Sequence, residues 1–254
     1  MPAHDEEMQQ GTEDRPGETL IRKLEQRDRL SPAEKQVLEN AVARVREVRM
    51  DQDLIREGDR PTESTLLLDG FAARYKDLAD GRRQITALHV AGDFVDLHSF
   101  LLHRMDHGVV TLTDCRVGVV PHETLRRITE RHPHLARLLW LSTLIDGAIH
   151  REWLVAMGRR SSLGQMAHLL CELFLRLQAV GRTERNGFRL PLTQAELGDT
   201  LGLSTVHVNR IIQELRAAGL ITWRGPVVTI ENWDGLVQAA EFDPTFLNLM
   251  NEPR

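Results

Sequence analysis

Five side chains between residues 205 and 213 have the types and spacing to read DNA. Arg210 can donate two hydrogen bonds to a guanine edge, Asn209 or Gln213 can pair with adenine, and Thr205 or Val206 can touch a thymine methyl group. On a helix, Val206, Asn209, Arg210 and Gln213 fall on one side, with Thr205 at the N-terminal tip. Val208, Ile211, Ile212 and Leu215 recur at three- and four-residue spacing on the other side, which is the pattern of a packing face.

The neighbouring residues are those needed to hold such a helix. Thr193 and Glu196 form a capping-box pair ahead of a helix that runs to about Leu201, with Leu192 and Leu197 as its hydrophobic staple. Gly202 suits a left-handed helix exit, and Ser204 is an N-cap for the next helix. Leu203 and Val208 make the second staple. The spacing predicts a helix-turn-helix, whose second helix enters the major groove. Leu220 to Trp223 and Val227 to Ile230, joined through Arg224-Gly225-Pro226, predict a hairpin wing, and Asn232 caps a last helix to about Ala240. Thr193, Ser204 and Arg224 are candidates for phosphate contacts, which position without specifying.

The whole chain is mildly acidic, with a formal net charge of −5, which argues against DNA binding until the distribution is considered. Acidic residues crowd the first twenty positions, whereas residues 158–230 carry nine arginines against five acids. The excess is modest, so affinity is expected to depend on dimerisation. Two cysteines, Cys115 and Cys171, sit among apolar residues and read as inert buried thiols in a cytoplasmic protein. No membrane-length apolar run and no secretory leader are visible, and residues 1–19 are expected to be disordered.

Upstream, Ser31-Pro32-Ala33-Glu34 opens a helix expected to reach about Val45. Turn signals then recur about every ten residues at Gly58, Gly70, Gly81 and Gly92, which predicts a small β-sandwich or jelly roll. Its strand candidates are residues 65–68, 71–76, 84–89, 109–113 and 116–120. After a short helix over 122–131, Pro133 starts a long one to about Met157. Leu138, Ser142, Ile145, Ile149 and Trp153 are its candidate dimer interface, and Gly158-Arg159-Arg160-Ser161 the hinge. Residues 162–180 form a further amphipathic helix, and 181–191 a polar connection.

Histidines are concentrated in the β region, at 89, 98, 103, 107 and 122. His103 and His107 have helical ligand spacing, but no third metal ligand follows, so no metal site is assigned. Phosphate-binding glycine loops, nucleophile-elbow serines and zinc-helix motifs are absent, and no enzyme activity is expected.

The order of β-sandwich, long helix, hinge and winged helix-turn-helix resembles the Crp/Fnr superfamily of bacterial transcription regulators over residues 20–240. The resemblance rests on residues 55–59, 67–70, 80–82 and 92–94 in the β region, and on 192–198 with 203–210 in the DNA-reading region. It implies a homodimer on palindromic double-stranded DNA, with RNA polymerase as a further partner and a small molecule as effector. Cyclic-nucleotide binders of that superfamily use a glutamate for the ribose, and an arginine before a small hydroxyl residue for the phosphate. Here Asp96 stands at the first position and Asp106-His107-Gly108 at the second, with Arg104 out of register. A carboxylate there repels phosphate, so a cyclic nucleotide is not expected. The oxygen-sensing branch needs an N-terminal cysteine cluster that this chain lacks, so an iron–sulfur cluster is not expected either. Haem stays open, because histidines abound without a haem-specific pattern. Asp96, Arg104 and His107 remain the candidates for an effector pocket, and Val206 implies an operator different from the best-known one.

The sequence therefore implies an α+β chain in five parts. These are an acidic N-terminus (1–19), a β sensor domain (20–131), a dimerisation helix (132–158), a winged helix-turn-helix domain (159–241) and a tail (242–254). The expected function is DNA-binding regulation gated by an unidentified signal. Two alternatives stay open: a ligand-independent regulator with an empty sensor domain, or a metal or small-molecule sensor acting through protein contacts.

Overall fold

A computed structural model describes residues 15–254. The expected disorder over 1–14 lies outside the described residues. The stretch read as disordered nevertheless ends in structure: helix α1 (Glu18–Glu25) begins inside it and buries Thr19, Leu20, Ile21 and Leu24. Helix α2 (Pro32–Ala41) starts at the Ser31 capping box, in which Ser31 and Glu34 satisfy each other's backbone N–H groups.

Helix α2 stops at Ala41 rather than Val45, because the chain turns into strand β1 (Arg44–Val48). Strands β2 (Asp53–Ile55), β3 (Glu63–Asp69), β4 (Ala72–Asp77), β5 (Arg83–His89), β6 (Gly108–Thr111) and β7 (Cys115–Pro121) follow. They form two antiparallel sheets, ordered β1-β7-β3 and β2-β6-β4-β5. Ile55, Leu67, Ala72, Val95, Met105, Val109 and Val117 fill the space between them. Five strands match the expected ones; β1 and β2 had no clear period-two pattern and escaped notice.

Helix α3 (His122–Arg131) leads into α4 (Pro133–Arg159), a helix of 27 residues that runs past Gly158 and breaks only at Arg160. Its first half buries Leu135, Leu138 and Leu139 against the α1–α2 region and β3. Its second half buries Ile145, Ile149 and Trp153 in another core, shared by one sensor sheet and the DNA-reading region. The helix therefore belongs to both cores.

Helix α5 (Ser162–Ala179) is capped by Ser161 and almost wholly buried along its length. The connection at 181–191 is a hairpin rather than plain coil: β8 (Thr183–Glu184) and β9 (Gly187–Arg189) join the wing strands β10 (Ile221–Arg224) and β11 (Val227–Ile230) in one sheet. Between them lie α6 (Gln194–Leu201) and α7 (Thr205–Ala217), and α8 (Trp233–Ala240) follows. Residues 242–254 are docked rather than free. Leu247 is buried, the Leu247 carbonyl accepts from Arg27 at 3.0 Å, and Glu252 N–H donates to the Arg27 carbonyl at 2.9 Å.

That docking ends on a charge cluster. The His134 ring bonds Glu34 at 2.6 Å and Asp28 at 3.1 Å, and Asp28 also accepts from the Arg254 backbone at 2.5 Å. Burial opposes a charge on His134, but the two carboxylates overcome it and raise its pKa. A raised folded value means the stabilisation is complete below about pH 6.5 and fades as pH rises through that value. His134→Gln is therefore expected to cost about 1.5 kcal/mol at pH 6 and clearly less at pH 8.5, measured by thermal unfolding. Equal losses at both values would show that the ring is neutral.

Candidate nucleic-acid interface

The helix pair follows from its local chemistry. Thr193 accepts from Glu196 N–H at 3.2 Å, and the Glu196 carboxylate accepts from Thr193 N–H at 2.6 Å, completing the capping box of α6. Gly202 ends the helix at φ 68°, a conformation that penalises any side chain. Gly198 is fixed by packing: a Cβ there would lie 2.5 Å from the Leu203 carbonyl, so only glycine lets the turn cross so closely. Ser204 caps α7 by accepting from His207 N–H at 3.3 Å.

Helix α7 turns its two faces as the spacing requires. Val208, Ile211 and Leu215 are buried. Thr205, Val206, Asn209, Arg210 and Gln213 are all exposed, Val206 to 79%. An apolar side chain that open is poised for contact rather than packing. Arg210 is held in place by His207 at 2.9 Å and by Glu214 at 3.5 Å. Both neighbours follow from i,i+3 and i,i+4 helical spacing, and neither was singled out in the sequence. Thr193, Ser204 and Arg224 are exposed as well, and Arg224 stands at the end of the wing strand β10.

The sensor domain grips this unit at several places, two of them through hydrogen-bonded clusters. The β4–β5 hairpin reaches α6, where Gln84 donates to the Asp199 carbonyl at 2.7 Å and Arg83 pairs with the Asp199 carboxylate at 3.4 Å. The second contact is buried and charged. Asp93, in the turn after β5, accepts from Lys23 of α1 at 2.5 Å and from Arg176 of α5 at 2.7 Å. Arg176 also bonds Glu172 at 2.6 Å and the Leu88 carbonyl at 2.8 Å, and Glu172 accepts from Trp153 of α4 at 2.8 Å. Burial works against a charge on Asp93, but Lys23 and Arg176 outweigh it and hold its pKa well below the usual range.

The three candidate pocket residues contact other partners rather than bonding to one another. Asp96 is buried in the loop after β5, accepting from Thr65 N–H at 2.6 Å, and burial raises its pKa to about 7. Arg104 is exposed beside Gly58. His107 is buried, bonded to Asp106 at 2.6 Å and facing the His98 ring at 5.0 Å. The polar centre lies at Arg74, which sequence reasoning missed. It reaches Asp146 at 3.0 Å and His150 at 3.4 Å, both on α4. Burial would raise Asp146, but Arg74 foremost brings it down to about 2; burial takes His98 to about 4. No signal in a single strand position such as 74 announces a partner 72 residues away. His103 is exposed, so it shares no site with buried His107, and among the described residues no set of three ligands is arranged for a metal.

The proposed dimer seam also needs correction. Leu138, Ile145, Ile149 and Trp153 are buried in the protomer's own cores, and Ser142 is half-buried beside them. The outward stripe is Trp140, Leu144, Gly147, Arg151 and Leu154, which repeats with the same three- and four-residue spacing. Trp140 and Leu154 are each 67% exposed. The helix is apolar on two sides, and periodicity alone does not tell which side faces inward.

With this geometry in hand, the likenesses to known proteins are consistent. The family model described as the Crp-like helix-turn-helix domain matches residues 164–239, and that of the cyclic nucleotide-binding domain matches 45–132. The fumarate and nitrate reduction regulatory protein of Escherichia coli (strain K12) is 26% identical over 205 residues, covering 80% of this chain and 81% of its own length. The structure of FixK2 from Bradyrhizobium japonicum superposes with a TM-score of 0.71 at 26% identity, over 78% of this chain and 97% of that one. The c-di-GMP responsive regulator CLP of Xanthomonas campestris shares the fold at a TM-score of 0.58, over 78% of this chain and 99% of that one, with 18% identity.

The buried Arg176 pairings give a test. Arg176→Met leaves Asp93 and Glu172 short of a cation in a dry setting, and is expected to cost about 3–5 kcal/mol in urea unfolding. A loss below about 1 kcal/mol would mean that water replaces the guanidinium.

Proposed function

We propose, for a chain that belongs to the Crp/Fnr family of transcription regulators, a homodimer that reads a two-fold DNA site through α7 and is gated by its sensor domain. The carrying observation is the capped helix α7, packed beside the sensor-anchored α6, with Thr205, Val206, Asn209, Arg210 and Gln213 all facing solvent. Arg210 is the principal base reader, preorganised by His207 and Glu214. Thr193, Ser204 and Arg224 hold phosphates, and exposed Val206 takes a thymine methyl. The role is regulatory rather than catalytic, RNA polymerase is a further partner, and the site of action is the cytoplasm. No helix among the described residues is long and apolar enough to cross a membrane.

A second copy covers the outward stripe of α4. Trp140, Leu144 and Leu154 expose more apolar surface than an isolated helix face in water favours, and Gly147 between them allows close approach. Two-fold pairing through this stripe presents two α7 helices to successive major grooves.

Selection from random DNA by the full chain gives the operator. Arg210→Ala is then expected to weaken specific binding by about 1–3 kcal/mol and relax one base position. Unchanged affinity and preference would remove Arg210 from the interface.

Leu144→Glu is expected to give folded monomers by light scattering, whereas Ile145→Glu, one position along, damages the fold itself. A dimeric Leu144→Glu protein would refute this seam.

A further inference from the structure

A small cleft of about 60 Å³ lies where the turn after β5, α1, α4, α5 and the C-terminal segment meet. Four permanent cations line it: Lys23, Arg27, Arg74 and Arg176. Three have carboxylate partners. Lys23 and Arg176 share Asp93, Arg176 also has Glu172, and Arg74 has Asp146. Arg27 is the exception. It is 4% exposed, yet among the described residues its guanidinium bonds only the carbonyls of Lys23 at 2.6 Å and Leu247 at 3.0 Å. Among the described residues, the Nε atoms of Arg27 and Arg74 have no hydrogen-bond partner.

A buried guanidinium with no carboxylate bonded to it is costly, and so is a buried N–H without an acceptor. Both shortfalls occur in one cleft, and both are met by the same chemistry. We propose that this cleft binds a small oxyanion, an inorganic oxyanion or a short carboxylate, with Arg27 as its main counter-ion and Arg74 as a further donor. Burial and the neighbouring cations Arg176 and Arg254 lower Arg27 to a pKa of about 10 even though Asp93 opposes this, as a place short of negative charge requires. The apolar walls, among them Ile149, Leu247 and Leu249, strengthen each charge contact.

The site is independent of the DNA-reading proposal; only its consequence rests on it. Leu247 and Leu249 lie beyond the helix-turn-helix, and Arg176 belongs to α5. An anion on Arg27 therefore draws the sensor side and the DNA-reading side toward one charge.

The test is calorimetric titration and thermal melting of the intact protein with inorganic phosphate and, separately, malonate, with ionic strength held constant by chloride. One saturable site per protomer and a melting rise of several degrees are expected for at least one anion, and the stronger of the two identifies the class. Arg27→Met is expected to lose at least tenfold in affinity. Leu249→Trp, which fills the cleft and keeps Arg27, is expected to lose it too, and decides the matter if Arg27→Met does not fold. No saturable binding of either anion, or binding unchanged in the folded variants, would overturn the proposal. Failure to bind DNA would leave this titration unaffected.

Discussion

The Asp93 carboxylate sits where three parts of the chain meet, and what happens to its charge decides how they are held. Lys23 brings α1, Arg176 brings α5, and Glu172 and Trp153 extend the contact into α4. Asp93 and Glu172 are buried, and Lys23 and Arg176 are half-buried beside them. Together they form a chain of charge-assisted bonds in a dry setting, where each partner is costly to remove. The helix-turn-helix is thus not tethered by a flexible linker. The region that carries it is fastened to the sensor domain by linked charge-assisted bonds.

This constraint gives the gating idea physical content. A sensor can alter a DNA-reading helix only if some element joins both, and only if an effector favours one arrangement over another. Helix α4 meets the first condition, because its two halves lie in two cores. Its outward stripe is the face left for a second copy. The β4–β5 hairpin adds a direct contact to α6, through Gln84 and Arg83 on Asp199. A shift of the hairpin or of α4 therefore reaches α7 without passing through unsupported chain.

The DNA-reading region was legible in the sequence because its signals are local. Thr193, Glu196, Gly202 and Ser204 encode two caps and a turn within a dozen residues, and the structure forms each of them. Five sensor strands were legible for the same reason, through the turn glycines between them. What was not legible depended on distance along the chain. Asp93 meets Arg176 across 83 residues and Arg74 meets Asp146 across 72, so nothing local marks either pairing. Asp96, Arg104 and His107 were chosen by their place in a familiar cassette; Asp96 and His107 are buried with other bonding partners, and Arg104 is exposed. The α4 residues read as a seam fall in the protomer's own cores, because a helix apolar on two sides carries no mark of which side its own core will claim.

The central claim is that the sensor and the DNA-reading region are one mechanical body because of the buried charge at Asp93. Scanning calorimetry of the intact protein, beside the Asp93→Asn variant, tests it most directly. The account predicts a single cooperative transition for the wild type, splitting into two in the variant as the halves unfold separately. Two transitions already in the wild type, or a single unsplit one in the variant, would contradict it.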